Sequence, residues 1–365
     1  MSLTIEAVHV LIVKLGSIGD IVHTLPALAA IRAALPSAEI SWAVETRSAE
    51  LLRGNPLIDN LIEVDTRSIR EGMSIDEMLL SIREQVRGLR SFKFDVAIDL
   101  QGLLKSAAIA KLSGAKRRWG FDRSNLREPL SRVLLTDTVA VTPGLHVIRK
   151  NLALAAGALN IEVSADALEF PITTSPEHRS EAEDIMSGLG STSFAILNPG
   201  GGWVTKLWPA ENFGRLADAL WETMGIASVL TTGPGEDALA EAALAAGSSG
   251  SLRHAQPTLK GFFELARKAS LYVGGDTGPT HIAAAAGSPL VGLFGPTEWW
   301  RNGSLNEADI CVERNDIGCR TDCHRRSCNN WICMDISVET VLSACRTRLE
   351  IAARRGVAET AAVVT

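Results

Sequence analysis

Apolar positions fall along this chain in two alternating rhythms. Short dense runs, VHVLIV (8–13), EISWAVE (39–45), LIEVD (61–65) and FDVAIDL (94–100), are rich in β-branched and aromatic residues and predict strands. Between them, apolar residues spaced at helical intervals predict helices over 21–35, 74–89 and 146–159. The alternation restarts after TTSPEHRSE (173–181). It gives strands FAILNPG (194–200), ASVLTT (227–232), LYVGGD (271–276) and PLVGLFG (289–295). Helices are expected over 211–224, 236–246 and 259–269, and from Pro279. Strand–helix alternation implies βαβ units on a parallel sheet. The pattern therefore predicts an α/β chain of two doubly wound domains, 1–175 and 176–336. A last helix, 338–354, belongs to a C-terminal segment, 337–365, expected to pack back on the first domain. No period of 20 to 50 residues repeats, so the halves share an architecture and not a sequence.

Composition changes this picture only in places. With 46% apolar and 21% charged residues, 365 residues suffice for two buried cores. The net charge of −6 argues against general nucleic-acid binding. Yet residues 100–135 hold eight Lys/Arg against two Asp/Glu, which reads either as a solvated face or as a docking surface for an anionic ligand. No run of 18 apolar residues occurs, and MSLTIEAVHV lacks a basic segment followed by an apolar core. A cytoplasmic location and reduced thiols are the resulting expectation. Four of the six cysteines, Cys319, Cys323, Cys328 and Cys333, form C-x3-C-x4-C-x4-C with Arg320, His324, Arg325 and Arg326 among them. Paired C-x2-C knuckles are absent, so a reduced or redox-sensitive loop is favoured over a structural metal.

In an open parallel sheet, ligands bind beyond the carboxyl ends of strands. Four such ends carry unusual loops: KLGSIGD, DLQGLLKS, NPGGGWVTK and GGDTGPTH, two in each half. A cleft between the domains is thus the expected location of a site. KLGSIGD has two glycines where a dinucleotide fingerprint needs three, and no G-K-[ST] follows, so it is neither a Rossmann nor a Walker loop. Asp20 at the mouth of the next helix reads either as its N-cap or as an acceptor of a proton. Gly201 and Gly202 permit close backbone approach, and Lys206 after them reads as a cation for a diphosphate or as a surface lysine beside Trp203 and Trp208. Glu236 is placed to hold a ribose or to cap a helix. Asp276 reads as a binder of sugar hydroxyls or as a cap, and Thr277 and Gly278 open a helix whose N–H groups favour phosphate. His281, one turn in, reads first as a packing residue.

Together these motifs resemble glycosyltransferase family nine, the bacterial heptosyltransferases. The resemblance rests on VLIVKLGSIGDIVHTLPAL, AIDLQGLLKSA followed by REPL, TKLWP, and DTGPTHIAAA followed by FGPT, in order from about residue 10 to 297. It implies a GT-B fold, two Rossmann-like domains facing a cleft, and metal-independent, inverting transfer of heptose. The implied donor is ADP-L-glycero-D-manno-heptose and the implied acceptor is the Kdo sugar of lipid A at the inner membrane, with no cofactor. It also implies roles: Asp20 as base, Lys206 and Glu236 on the donor, and Asp276, Thr277, Gly278 and His281 as the D-T-G-x-x-H set. Lys14, Arg127 and Lys105 fall on the acceptor side. Gly201 and Gly202 stand where the pattern often has two threonines. Three rival readings remain at this level: a family-nine enzyme with another sugar or acceptor, a non-catalytic nucleotide-sugar binder, and an NAD-dependent oxidoreductase lacking the glycine fingerprint.

Overall fold

The computed structural model describes residues 8–65, 84, 86–164, 168–319 and 323–363. Most of the helix expected over 74–89 lies outside them, as does Arg320. The chain divides into two compact units, Met1–Thr173 and Thr174–Thr365.

The first unit is built on six parallel strands. They are β1 (His9–Val13), β2 (Glu39–Glu45), β3 (Asn60–Val64), β4 (Val96–Asp99), β5 (Arg117–Phe121) and β6 (Asp137–Val139), in the order β3-β2-β1-β4-β5-β6. Every residue of HVLIV is buried, as a central strand covered on both faces requires. Its register pairs Val13 with both Ala43 and Asp99, so the β1 and β4 ends lie side by side. Leu11, Val13, Phe94, Ala97 and Ala110 form part of one core layer.

The second unit repeats the plan. Strands β7 (Phe194–Asn198), β8 (Ala227–Thr231), β9 (Leu252–Ala255), β10 (Leu271–Gly275), β11 (Leu290–Phe294) and β12 (Ile310–Glu313) run β12-β11-β10-β7-β8-β9. Renumbered within its unit, this is again 3-2-1-4-5-6, the Rossmann order, whose direction of winding switches between its first and fourth strands. The switch points are therefore β1/β4 and β7/β10. The four loops singled out above are the loops that leave those four strands.

Two expected boundaries change. The single helix expected over 21–35 is two, Ile18–Val22 and Leu25–Ala34. Pro26 has no N–H to offer the Val22 carbonyl, which ends the first helix at that point. The segment expected to join the domains includes a helix, Pro176–Ser187, with Ser175 at its N-cap. Strands β5, β6, β9 and β12 and the helix Leu104–Leu112 did not stand out in the hydrophobic pattern. Three of those strands are sheet edges, where partial exposure breaks up the apolar run. The last helix, Val338–Val363, places Val341 and Cys345 in the core of the second unit beside Trp208, Phe213 and Val312.

Candidate functional site

At the first switch point the chain assembles a charged cluster from both loops. Ser17 caps the Ile18–Val22 helix, and Asp20 occupies its third position rather than the cap itself. The Asp20 Oδ2 accepts from the Ser17 amide at 2.9 Å, the return arm of a capping box. Its Oδ1 lies 3.6 Å from the Lys14 ammonium, and the side chain keeps 25% of its surface exposed. Lys14 is buried and donates to the Leu100 carbonyl at 2.7 Å. Burial raises the Asp20 carboxyl, but Lys14, the Ser17 amide, Arg127 and Gln101 outweigh it and hold it below the ordinary carboxylate range. Burial in turn pulls the Lys14 ammonium below its ordinary value, against the pull of Asp20 and Asp99.

Two residues of DLQG complete the arrangement, and reasoning from the sequence assigned neither a role. Gln101 Oε1 accepts from the amides of Leu15 at 3.1 Å and Gly16 at 3.5 Å, while its Nε2 donates to Asp20 at 3.5 Å. It ties one loop to the other and aims the carboxylate. Asp99, fully buried, accepts from the amides of Gln101 and Gly102 through Oδ1. Among the described residues its Oδ2 has no hydrogen-bond partner, and the Ser106 hydroxyl donates to the Leu103 carbonyl. Burial pushes the Asp99 carboxyl up to about 6. The signal available in the sequence was a polar pair at the carboxyl end of an apolar strand.

Of the expected acceptor-side cations, Arg127 is exposed and near enough to act on both Asp20 and Lys14. Lys105 forms an ion pair with Glu45 at the end of β2. The basic stretch as a whole divides. Lys116 pairs with Asp95, Arg117 pairs with Asp137, and Arg118 donates to the Leu134 and Ala115 carbonyls, all at the start of β5.

The second switch point builds a different cluster. Lys206 ends a short 3₁₀ turn, Val204–Lys206, after the glycine loop. Its ammonium donates to Asp276 Oδ2 at 2.6 Å and to the Asp276 carbonyl at 3.1 Å, and lies 4.4 Å from the centre of the Trp203 ring. His281 Nε2 stands 3.2 Å from the other Asp276 oxygen, and Asn302 donates to Asp276 Oδ2 at 3.2 Å. Asp276 is therefore the hub. Its burial is outweighed by His281 and Lys206, which hold its carboxyl far below the ordinary range. Thr277, not Asp276, caps the Gly278–Ala285 helix. Gly275 lets the two loops pass closely, because a Cβ would stand 3.2 Å from the Lys206 carbonyl, a tight approach.

Glu236 Oε2 accepts from the Gly233 amide at 2.7 Å, closing the GPGE turn, and its carboxylate lies against Gly200, where a Cβ would meet both oxygens at 2.5 Å. Close approach thus falls on Gly200. Gly201 faces Leu207, whose Cδ2 a Cβ would meet at 2.6 Å, and Gly202 faces open space. Sequence reasoning set Trp203 aside as packing and missed Asn302, which reaches Asp276 from another loop.

The cysteine loop lies against the segment that carries Lys206. Thr205 Oγ1 donates to the Arg325 carbonyl at 2.6 Å, and Trp331 Nε1 donates to the Thr205 carbonyl at 2.9 Å. Cys319, Cys323, Cys328 and Cys333 line one cavity of about 20 Å³ with Thr205 and Pro296. Burial raises the Cys333 thiol, with smaller contributions from the other three. Among the described residues no three His, Cys, Asp or Glu side chains are set to hold a metal ion.

Residues 82–332 match the pattern of glycosyltransferase family 9 (heptosyltransferase). Lipopolysaccharide heptosyltransferase 1 of Pseudomonas aeruginosa is 29% identical over 321 residues, 88% of this chain and 87% of that protein. Escherichia coli heptosyltransferase WaaC, solved with ADP, is similar at a TM-score of 0.70 and 25% identity, over 83% of this chain and 92% of that one. The same enzyme with ADP-2-deoxy-2-fluoro heptose gives 0.69. A glycosyl transferase family 9 protein of Veillonella parvula is similar in fold, with a TM-score of 0.79 at 22% identity over 93% and 97% of the two chains. The two Rossmann-like sheets are thus those of the GT-B heptosyltransferases.

Proposed function

The chain belongs to glycosyltransferase family 9, the heptosyltransferases, and from that premise we propose that it moves heptose from ADP-L-glycero-D-manno-heptose to the Kdo sugar of lipid A. The first unit receives the acceptor and supplies the base. The second binds the donor. The acceptor hydroxyl attacks the anomeric carbon and gives its proton to Asp20. The new C–O bond forms as the bond to the diphosphate breaks, and ADP leaves with the electron pair, inverting the centre. Lys206 and the Thr277 and Gly278 amides neutralise the departing diphosphate, and Glu236 holds the ribose. Gly202 leaves room for the donor and Gly201 lets the same loop close on Leu207 beside it, Asp276 and His281 orient Lys206, and Arg127, with Lys14 and Lys105, provides positive charge for an anionic acceptor. The reaction takes place at the cytoplasmic face of the inner membrane. Among the described residues no helix is long and apolar enough to cross a bilayer.

The observation that carries the reading is the Lys14–Asp20–Gln101 arrangement: an ionised, solvent-reachable carboxylate aimed by a neighbouring loop at a switch point. A capping box alone needs neither the buried ammonium nor the glutamine. The donor assignment is supported by the relative WaaC, solved with ADP and with a fluorinated ADP-heptose. Mass spectrometry of a mixture of protein, ADP-heptose and Kdo-lipid A should show the acceptor gaining one heptosyl unit. A panel of UDP- and GDP-sugars tests the donor in the same assay. Asp20→Ala should lower kcat by about 10²- to 10⁴-fold with ADP affinity nearly unchanged. Near-normal turnover in that variant would return Asp20 to a capping role only.

A further inference from the structure

The charge of Lys206 is already matched within the second unit. Its ammonium lies 2.6 Å from Asp276 Oδ2, and both side chains are largely buried. A nucleoside diphosphate brings more than one negative charge to this switch point, so a single matched lysine leaves part of it unanswered. The cysteine loop offers a second cation. The guanidinium carbon of Arg326 lies 5.2 Å from the centre of the Trp203 ring, the same ring that carries the Lys206 ammonium at 4.4 Å. Arg326 is exposed, and no hydrogen bond or ion pair joins its side chain to another described residue. The backbone before it is anchored. Thr205 Oγ1 donates to the Arg325 carbonyl at 2.6 Å, and the His324 amide donates to the Pro296 carbonyl at 2.9 Å. Thr205 directly precedes Lys206, so adjacent residues tie the two cations together. Arg301, another cation near the loop, is engaged with His324 Nε2 at 3.3 Å.

Two positive groups gathered on one aromatic ring repel each other, and the ring offsets only part of that cost. An anion received by both turns the repulsion into a clamp. We propose that Arg326 is a second diphosphate-binding cation, which grips the phosphates of the nucleoside-diphosphate donor together with Lys206. Its planar fork meets phosphate oxygens in pairs, a geometry that an ammonium cannot reproduce. During transfer the bond from the anomeric carbon to the diphosphate breaks, and the leaving oxygen keeps the electron pair. Arg326 then answers the charge that gathers on that oxygen and its neighbours. The cysteine loop thereby belongs to the donor site, because it carries a side chain that touches the donor. The inference rests on the donor side of the proposed function, but it asks only for a diphosphate, whichever base or sugar is attached to it.

The test is titration calorimetry of the full chain with ADP, UDP and GDP at several salt concentrations. Arg326→Gln keeps an aliphatic stem over Trp203 and removes the charge. It should weaken ADP binding about 10- to 100-fold, the range for hydrogen bonds to a charged group, and flatten the fall of affinity with salt. Arg326→Lys restores the charge without the fork and should bind between the wild type and Arg326→Gln. The side chain is exposed, so unchanged thermal melting is expected and checks that each variant folds. Wild-type ADP affinity in Arg326→Gln would overturn the proposal. So would weakened binding with the wild-type salt dependence, which would leave Arg326 as a support for Trp203 only. A wild type that binds UDP or GDP in place of ADP would overturn the ADP donor alone, and the same variants then test Arg326 on that nucleotide. A wild type that binds none of the three would overturn both readings.

Discussion

Two carboxylates at neighbouring strand ends are pushed in opposite directions, and each shift has its own consequence. Asp20 is held ionised by Lys14 and by donors from Ser17 and Gln101. Asp99, fully buried, is raised to about 6 by burial, which outweighs the amides of Gln101 and Gly102 and the charge of Lys14. An ordinary aspartate titrates near about 3.9. A group whose pKa rises on folding stabilises the protein fully below its unfolded value, and that contribution disappears as pH climbs through its folded value. Wild-type stability should therefore gain roughly 3 kcal/mol from Asp99 between pH 7 and pH 3. Asp99→Asn should lack that gain, and the difference between the two melting profiles across this window measures it. Asp276 has the reverse sign. Its depressed carboxyl contributes stability at neutral pH that is lost on acidification below the ordinary carboxylate range. Asp276→Ala leaves Lys206 and His281 without their shared partner and should lower stability by about 3 kcal/mol in urea denaturation. Lys206→Met should lower it less, because His281 and Asn302 still hold the aspartate, while weakening ADP binding in calorimetry.

At the scale of elements, the loops matter more than the strands that end in them. The Trp203–Lys206 segment has little regular structure of its own, and the cysteine loop holds it from outside through Thr205, Arg325 and Trp331. Arg326 stands over the Trp203 ring at 5.2 Å, next to the Lys206 contact with the same ring. Trp331→Phe keeps an aromatic ring and removes only the donor to the Thr205 carbonyl. It should weaken ADP binding about 3- to 10-fold, in line with one lost hydrogen bond of about 1 kcal/mol, and leave the fold's melting temperature nearly unchanged. An unaltered ADP affinity would show that the cysteine loop covers this segment without positioning it. The end of the Ala210–Met224 helix was legible because its chemistry is local, the αL glycine Gly225, whereas the break at Pro26 was not read from the sequence, since the apolar period runs on across it. The edge strands β6, β9 and β12 were not legible, and in β9 the exposed Arg253 and His254 fill the middle of the strand.

On the scale of the whole molecule, each unit completes its own Rossmann order, and the second also needs the end of the chain. Trp208 Nε1 donates to the Ile336 carbonyl at 2.8 Å, Val341 and Cys345 are fully buried, and Arg348 pairs with Asp309 at 2.8 Å. Burial lifts the Cys345 thiol to about 12, so it should resist alkylation in the native protein. A chain ending at residue 337 should expose this part of the core and lose cooperative melting of the second unit, which calorimetry would record as the loss or a large downward shift of a transition. What the sequence alone determined was the alternation of strands and helices, the two-domain plan and the four glycine- and acid-bearing loops. Those signals are local: period, turn chemistry and caps act within a few residues. What only the tertiary structure decided was partnership. Lys14 meets Leu100 across 86 residues, Gln101 reaches Leu15 across 86, Lys206 finds Asp276 across 70 and Trp331 finds Thr205 across 126. Which charge neutralises which, and which remains to face solvent, depends on strand order bringing distant ends together, and no spacing along the chain encodes that directly.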